Sequence, residues 1–226
     1  MTTLPVKNDQ ERSRLVVGGL ACSILVCLAA FLVMSFFPVT SPALLAAGSR
    51  KFMKLPQVTQ HTPVHCGPAA MQSILAYYGL EYFQDDLAKK MGTSVDFGTP
   101  VSRMVAFAKA EGFGAKLREG ITRDQLQHML DLQHPVVLVI QAWAGEGVDW
   151  AKTWDSGHYV VAIGYDEKRV VFMDPYLISS YAWIPWDELF LRWHDEGVDG
   201  VIERGGIEFT PKSTMKFPPP DLIRLR

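Results

Sequence analysis

The 226-residue, 25.3 kDa chain is 48% hydrophobic and 20% charged, enough apolar material for one ordinary domain plus extras and the wrong composition for a disordered protein. Its formal charge of −2 leaves no basic footprint, which argues against a nucleic-acid partner. Two of its three cysteines, Cys22 and Cys27, share one apolar run, so Cys66 has no disulfide partner in the rest of the chain.

Residues 1–14 form a polar N-terminal tail. From Leu15 to Phe37 runs "LVVGGLACSILVCLAAFLVMSFF", 23 residues without a charge. A helix of that length spans roughly 34 Å, enough for a hydrocarbon core of about 30 Å, so 15–37 is predicted to be a transmembrane signal-anchor. The competing reading is a signal peptide cut near "ALLAAGS", followed by secretion; the run is longer than the usual apolar region of such a signal. Arg12 and Arg14 abut the span more closely than Arg50 does on its far side. That asymmetry places the N-terminus in the cytoplasm and the following domain on the outer face of the plasma or inner membrane. Residues 38–54 are a linker, with Pro38 and Pro42 blocking helix continuation.

A domain is expected over 55–209. Gly67 and Pro68 open a helix whose Ala70, Ile74, Leu75 and Tyr78 recur at helical spacing, and Gly79 ends it. Short helices follow over Asp85–Met91, from Thr99-Pro100 with Pro at the first helical position, and over Thr122–Leu132, where Thr122 and Gln125 have capping-box spacing. The texture changes at His134. "PVVLVIQAW", "HYVVAIGY" and "RVVFMDPY" are β-branched and aromatic runs between turn residues, hence strands, the first two apolar enough to be covered on both faces. Pro185 to Trp193 reads as a last helix, "GVIERGGIEF" as added strand, and 210–226 as an extended tail with prolines at 218–220. Helices first and then a sheet describe an α+β domain.

Cys66 stands directly before Gly67-Pro68 at the mouth of the first helix. Unpaired N–H groups and a partial positive charge at a helix N-terminus favour the thiolate, the form in which cysteine attacks. A base is offered by His158, at the start of a strand, and a group to orient its imidazole by Asp174, at the end of the next. A hairpin loop of three or five residues would put residue 160 opposite 174 and leave His158 and Asp174 on one face; an even loop would separate them. An odd loop is therefore expected. The oxyanion would be met by the Cys66 backbone N–H and one side-chain donor, Gln60 first and Gln57 second. The three tryptophans of "WAGEGVDWAKTWDSG", residues 143–157, read either as a lid or substrate wall or as packing over the sheet edge.

Gln60-x5-Cys66-Gly67, a helix ending in "AYYG", then "GHYVVAIGYD" and "DP" resemble the bacteriocin-processing, double-glycine leader peptidases, with "WIPWDELFLRW" similar to that family's final helix. The resemblance covers about residues 55–195 and implies a papain-like cysteine peptidase with Cys66 as nucleophile, His158 as base, Asp174 as orienter and Gln60 as oxyanion donor. It further implies a peptide or protein substrate cut after small residues such as Gly-Gly. Family members are usually a domain of peptide-exporting ABC transporters, so a separate exporter or secretion machinery is the implied partner. His65 departs from the acidic residue often found before the nucleophile. Two other functions stay open: acyl transfer to an amine by the same triad, as in a transpeptidase or transglutaminase, and a catalytically silent peptide-binding module. No cofactor is expected. No CxxC or HExxH spacing supports a metal, and Pro63 between His61 and His65 breaks the helix that would align them, so both are expected to be solvated loop residues. His128, His134 and His194 are expected at the surface or at helix ends.

Overall fold

The structure, a computed structural model, describes residues 52–211, all within one compact unit, Arg50–Arg226. The expected anchor at 15–37, the tail 1–14, most of the linker 38–54 and nearly all of the tail 210–226 lie outside the described residues. Among the described residues no helix is long and apolar enough to cross a membrane.

Helix α1, Cys66–Tyr77, buries Ala70, Met71, Ile74 and Leu75. It closes where Gly79 takes φ 76°, which lets the Leu80 N–H return to the Leu75 carbonyl at 2.8 Å. That left-handed closure is the conformation glycine adopts without steric cost. Helix α2, Gln84–Met91, ends the same way at Gly92. Helix α3 is Val101–Ala110, with Pro100 one position earlier than expected, at the N-cap. Helix α4, Arg123–Asp131, carries the capping box in full: the Gln125 N–H donates to the Thr122 hydroxyl and the Thr122 N–H to the Gln125 amide oxygen. Helix α5 is Trp186–Arg192.

The described residues also form eight strands: β1 Gly114–Arg118, β2 Val136–Gln141, β3 Gly157–Tyr165, β4 Arg169–Met173, β5 Ala182–Pro185, β6 His194–Gly197, β7 Gly200–Glu203 and β8 Gly206–Thr210. Six form one antiparallel sheet in the order β1-β8-β2-β3-β4-β5, and β6 pairs with β7 as a separate hairpin. Every residue of β2 is buried, as expected for a strand covered on both faces. The fold is α+β, but the order is not simply helices and then sheet. Strand β1 falls between α3 and α4, and its partner β8 arrives from the far end of the domain, Ala115 facing Phe209. The core also takes in Met53, from the stretch read as linker: it is 2% exposed and its N–H donates to the Ile163 carbonyl at 2.8 Å.

The β3–β4 hairpin corrects one expectation and keeps its consequence. Tyr165 pairs with Val170, so the connection is even, not odd. The register then jumps from Gly164–Val171 to Ala162–Phe172, leaving Ile163 as one extra residue on β3. This β-bulge shifts the pairing by one place. Continued past Val161–Met173, it brings residue 160 opposite 174, the arrangement an odd loop would have given.

Candidate active site

Cys66 is the first residue of α1, a buried free thiol. Its helix can start there because residue 67 is glycine: a Cβ at Gly67 would lie 2.7 Å from the Thr99 Oγ1, closer than real Cβ atoms come. Thr99 is itself held, its carbonyl accepting the Tyr159 hydroxyl at 2.7 Å. The nucleophile end of α1 is thereby packed against the segment entering α3 and against β3.

His158, on β3, and Asp174, just past β4, are 7% and 3% exposed. The His158 Nε2 and the Asp174 Oδ1 are 2.7 Å apart. With Nε2 donating to the carboxylate, Nδ1 is left for the thiol of Cys66, which lies near enough to favour the charged imidazole. Burial pushes the imidazole pKa down. The hydrogen bond to Asp174 and the nearness of Cys66, with the negative charge of both, outweigh it and raise His158 to about 9. The three residues singled out in the sequence are therefore in one place.

Their support was less visible. The Asp174 Oδ1 also accepts the Tyr176 N–H at 2.8 Å, and its Oδ2 accepts the Trp143 indole N–H at 3.2 Å. Trp143, at φ 61°, stacks on Tyr176 with ring centroids 4.4 Å apart. The tryptophan-rich stretch thus supplies a cover for the His–Asp pair. Its Trp154 packs on His194, centroids 4.2 Å apart, and Trp150 lies under the Arg192 guanidinium. Gln141, fully buried at the end of β2, donates to the His194 carbonyl and to Asp195 Oδ1, and accepts the Ser156 N–H. It fixes the segment before His158 to the β6–β7 hairpin. A glutamine in an apolar strand was the available signal, since a buried amide needs partners.

Gln60 reaches the cleft. Its backbone N–H donates to the Pro175 carbonyl at 2.9 Å, tying it to the residue after Asp174. One hydrogen of its amide goes to the Thr62 carbonyl at 2.9 Å, which leaves the second free to donate. Gln57 instead lies beside the Tyr181 hydroxyl. Two clefts meet at His158. One, of about 480 Å³, is lined by Gln60, Thr62, Trp143, Ser156 and Tyr176. The other, of about 370 Å³, is lined by Cys66, Thr99, Tyr159 and Trp154 and by the carboxylates of Asp96, Asp155, Asp195, Glu196 and Asp199; no lysine or arginine lines it among the described residues.

Of the other histidines, His194 departs from the expected surface or helix-end position. It is buried, its Nε2–H donating to the Thr153 carbonyl at 2.8 Å, and the partly buried His134 pairs with Glu208 at 3.2 Å. His128 stays exposed. Pro63 does not keep His61 and His65 apart: a turn closed by the His65 N–H on the Thr62 carbonyl brings both rings toward Asp85 on α2.

The sequence profile of the Peptidase_C39 like family matches residues 52–197, and the chain belongs to that family of cysteine peptidases. Among solved structures it is similar to a putative C39-like peptidase from Bacillus anthracis (19% identity, TM-score 0.56, covering 74% of this chain and 100% of that one). It is also similar to the peptidase domain of Streptococcus ComA, a bi-functional ABC transporter involved in a quorum-sensing pathway (21% identity, TM-score 0.50, covering 69% and 97%). An uncharacterized protein of Methanothermobacter thermautotrophicus is 27% identical over 120 residues, 53% of this chain and 71% of its own length.

Proposed function

We propose that this chain is a cysteine peptidase that cleaves a peptide bond through Cys66, His158 and Asp174. The observation that carries the reading is the buried 2.7 Å His158–Asp174 contact, with Cys66 close to the same imidazole and lining the same cleft. Cys66 Sγ attacks the scissile carbonyl carbon, and the carbonyl π electrons move to oxygen. The oxyanion is met by the Cys66 backbone N–H, which at the first helical position has no intrahelical partner, and by the free amide hydrogen of Gln60. On collapse the C–N bond breaks as the His158 imidazolium gives its proton to the leaving nitrogen, leaving a thioester. Water then attacks that thioester, its proton passing to His158, and the carboxylic acid and Cys66 are released. Asp174 holds the ring in the tautomer this needs.

Small residues such as Gly-Gly before the cut are the substrate preference favoured by the family resemblance. Anchoring by residues 15–37, with the domain outside the cytoplasm, rests on the length of the apolar run and on Arg12 and Arg14. A phosphatase fused after Arg226 should be active outside the cytoplasm and stay with the membrane; an inactive fusion reverses the topology, and a shortened soluble product means a cleaved signal.

The chemistry is tested by incubating the full chain with double-glycine peptides and weighing the products. Cleavage that disappears in Cys66→Ala, together with iodoacetamide labelling of Cys66 at pH 6 that is fast in the parent and slow in His158→Ala, is the expected result. Labelling at the rate of an ordinary thiol, indifferent to His158, would remove the nucleophile from the scheme.

A further inference from the structure

We propose that His61, His65 and Asp85 form a binding site for a transition-metal divalent cation, Zn²⁺ in the first place, next to but separate from the thiol. Each of the three side chains offers one donor atom, and these atoms all lie within 4.8 Å of one another. The Asp85 Oδ1 is 3.1 Å from the His61 Nδ1 and 4.0 Å from the His65 Nδ1. Donors at about 2.0–2.1 Å from a tetrahedral zinc stand roughly 3.3 Å from each other, so these separations bracket the required one. Two imidazoles and a carboxylate suit zinc and its neighbours in the transition series, whereas magnesium and calcium take oxygen donors.

Two features show that the cluster is built rather than accidental. The His65 Nδ1 is shut off from solvent and has no hydrogen-bond partner. A buried polar atom left so is costly, and a metal bond would satisfy it. His61, for its part, is held in place by a residue that is almost fully buried: its backbone N–H donates to the Gln84 Oε1 at 2.7 Å. The other end of that amide donates to the Thr59 carbonyl at 3.1 Å and to Gln72 at 3.2 Å. Gln84 thereby fixes the backbone of His61 beside Asp85, the next residue along α2. Three protein donors leave a fourth position for water or another small ligand.

Cys66 is not in the donor group, although His65 immediately precedes it. A bound ion would cross-link the segment 61–65 to α2 and so restrain the approach to the thiol, with no part in the attack itself. Since the site uses none of Cys66, His158 or Asp174, it stands or falls apart from the peptidase reading.

The test uses the full chain with Cys66→Ala, so that the adjacent thiol cannot bind metal, titrated with Co²⁺ and Zn²⁺ against a chelator of known affinity. One equivalent should bind, with the visible d–d bands of low-coordinate Co²⁺ and no thiolate charge-transfer band. His65→Gln and Asp85→Asn, each added to that background, should weaken binding at least tenfold. Asp85 is exposed, so the second change leaves the fold intact even if the first disturbs it. In the parent, Zn²⁺ should raise the melting temperature, and Asp85→Asn should abolish the rise. No binding to the folded Cys66→Ala chain, or binding untouched by both substitutions, overturns the proposal.

Discussion

His158 couples the site to pH in a direction that can be worked out. Its folded pKa is about 9, above the 6.5 of a free imidazole. Its charged form therefore stabilises the fold fully below pH 6.5, and the contribution drains away as pH rises through 9. The melting temperature should fall between pH 6.5 and 9.5 by more in the parent than in His158→Gln. Peptide cleavage should decline on an alkaline limb near 9, where the imidazolium that protonates the leaving amine is lost; the value belongs to the coupled Cys66–His158 pair. Gln60 is tested differently. If its free amide hydrogen meets the oxyanion, Gln60→Ala should slow acylation by on the order of 10²–10³. Iodoacetamide labelling forms no oxyanion and should proceed at the parent rate in the same variant. Equal loss in both assays would mean that Gln60 only positions the thiol.

At the scale of elements, the site depends on a tight junction between β3 and the β6–β7 hairpin. A Cβ at Gly157 would sit 2.6 Å from both carboxylate oxygens of Asp195, which is itself held by Gln141 at 2.9 Å. Gly157→Ala should destabilise the domain by about 1–3 kcal/mol, the usual cost of overpacking. Adding Asp195→Gly should restore part of the loss, a coupling that thermal or urea melting of the double-mutant cycle reads directly. Such junctions were hard to see in the sequence. The helices were legible because their apolar spacing and caps are local, and β2 and β3 because their β-branched runs are dense. Strands β1, β5 and β6 are short and partly exposed, and β1 finds its partner about ninety residues away, so no local pattern announces it. The bulge at Ile163 has no sequence mark at all. His158 and Asp174 could be paired from hairpin logic, but the loop parity behind that pairing was wrong and the bulge made good the difference. Trp143 stands out in the sequence by the composition of its loop and not by its indole N–H, because nothing in a loop sequence says which polar atom it will reach.

Across the whole molecule, the net charge of −2 conceals an uneven distribution. Five carboxylates line the cleft on the Cys66 side, without a lysine or arginine among the described residues there. Burial already raises the pKa of Asp195, a sign that further negative charge would be poorly tolerated. In matched peptides, an acidic residue that falls in this cleft should lower kcat/KM relative to a neutral or basic one, and the gap should narrow as salt is added. Equal turnover of acidic and basic peptides at low salt would place the substrate elsewhere, along the cleft that Gln60 and Trp143 line.

Strand β8 lies between β1 and β2 although it is the last strand among the described residues, with Val136 facing Glu208 and Ala115 facing Phe209. During synthesis the ribosome delivers this strand after the other five of the sheet, which until then is divided into two parts that cannot meet. Closing it requires a loop of about ninety residues to be drawn in, a slow and entropically unfavourable step compared with zipping a hairpin. A nascent chain released before Gly206 should therefore remain protease-sensitive, with its thiol no more reactive than a free one. If the domain is threaded through a membrane as it is made, the same delay keeps it in the extended form that a translocation channel can accept.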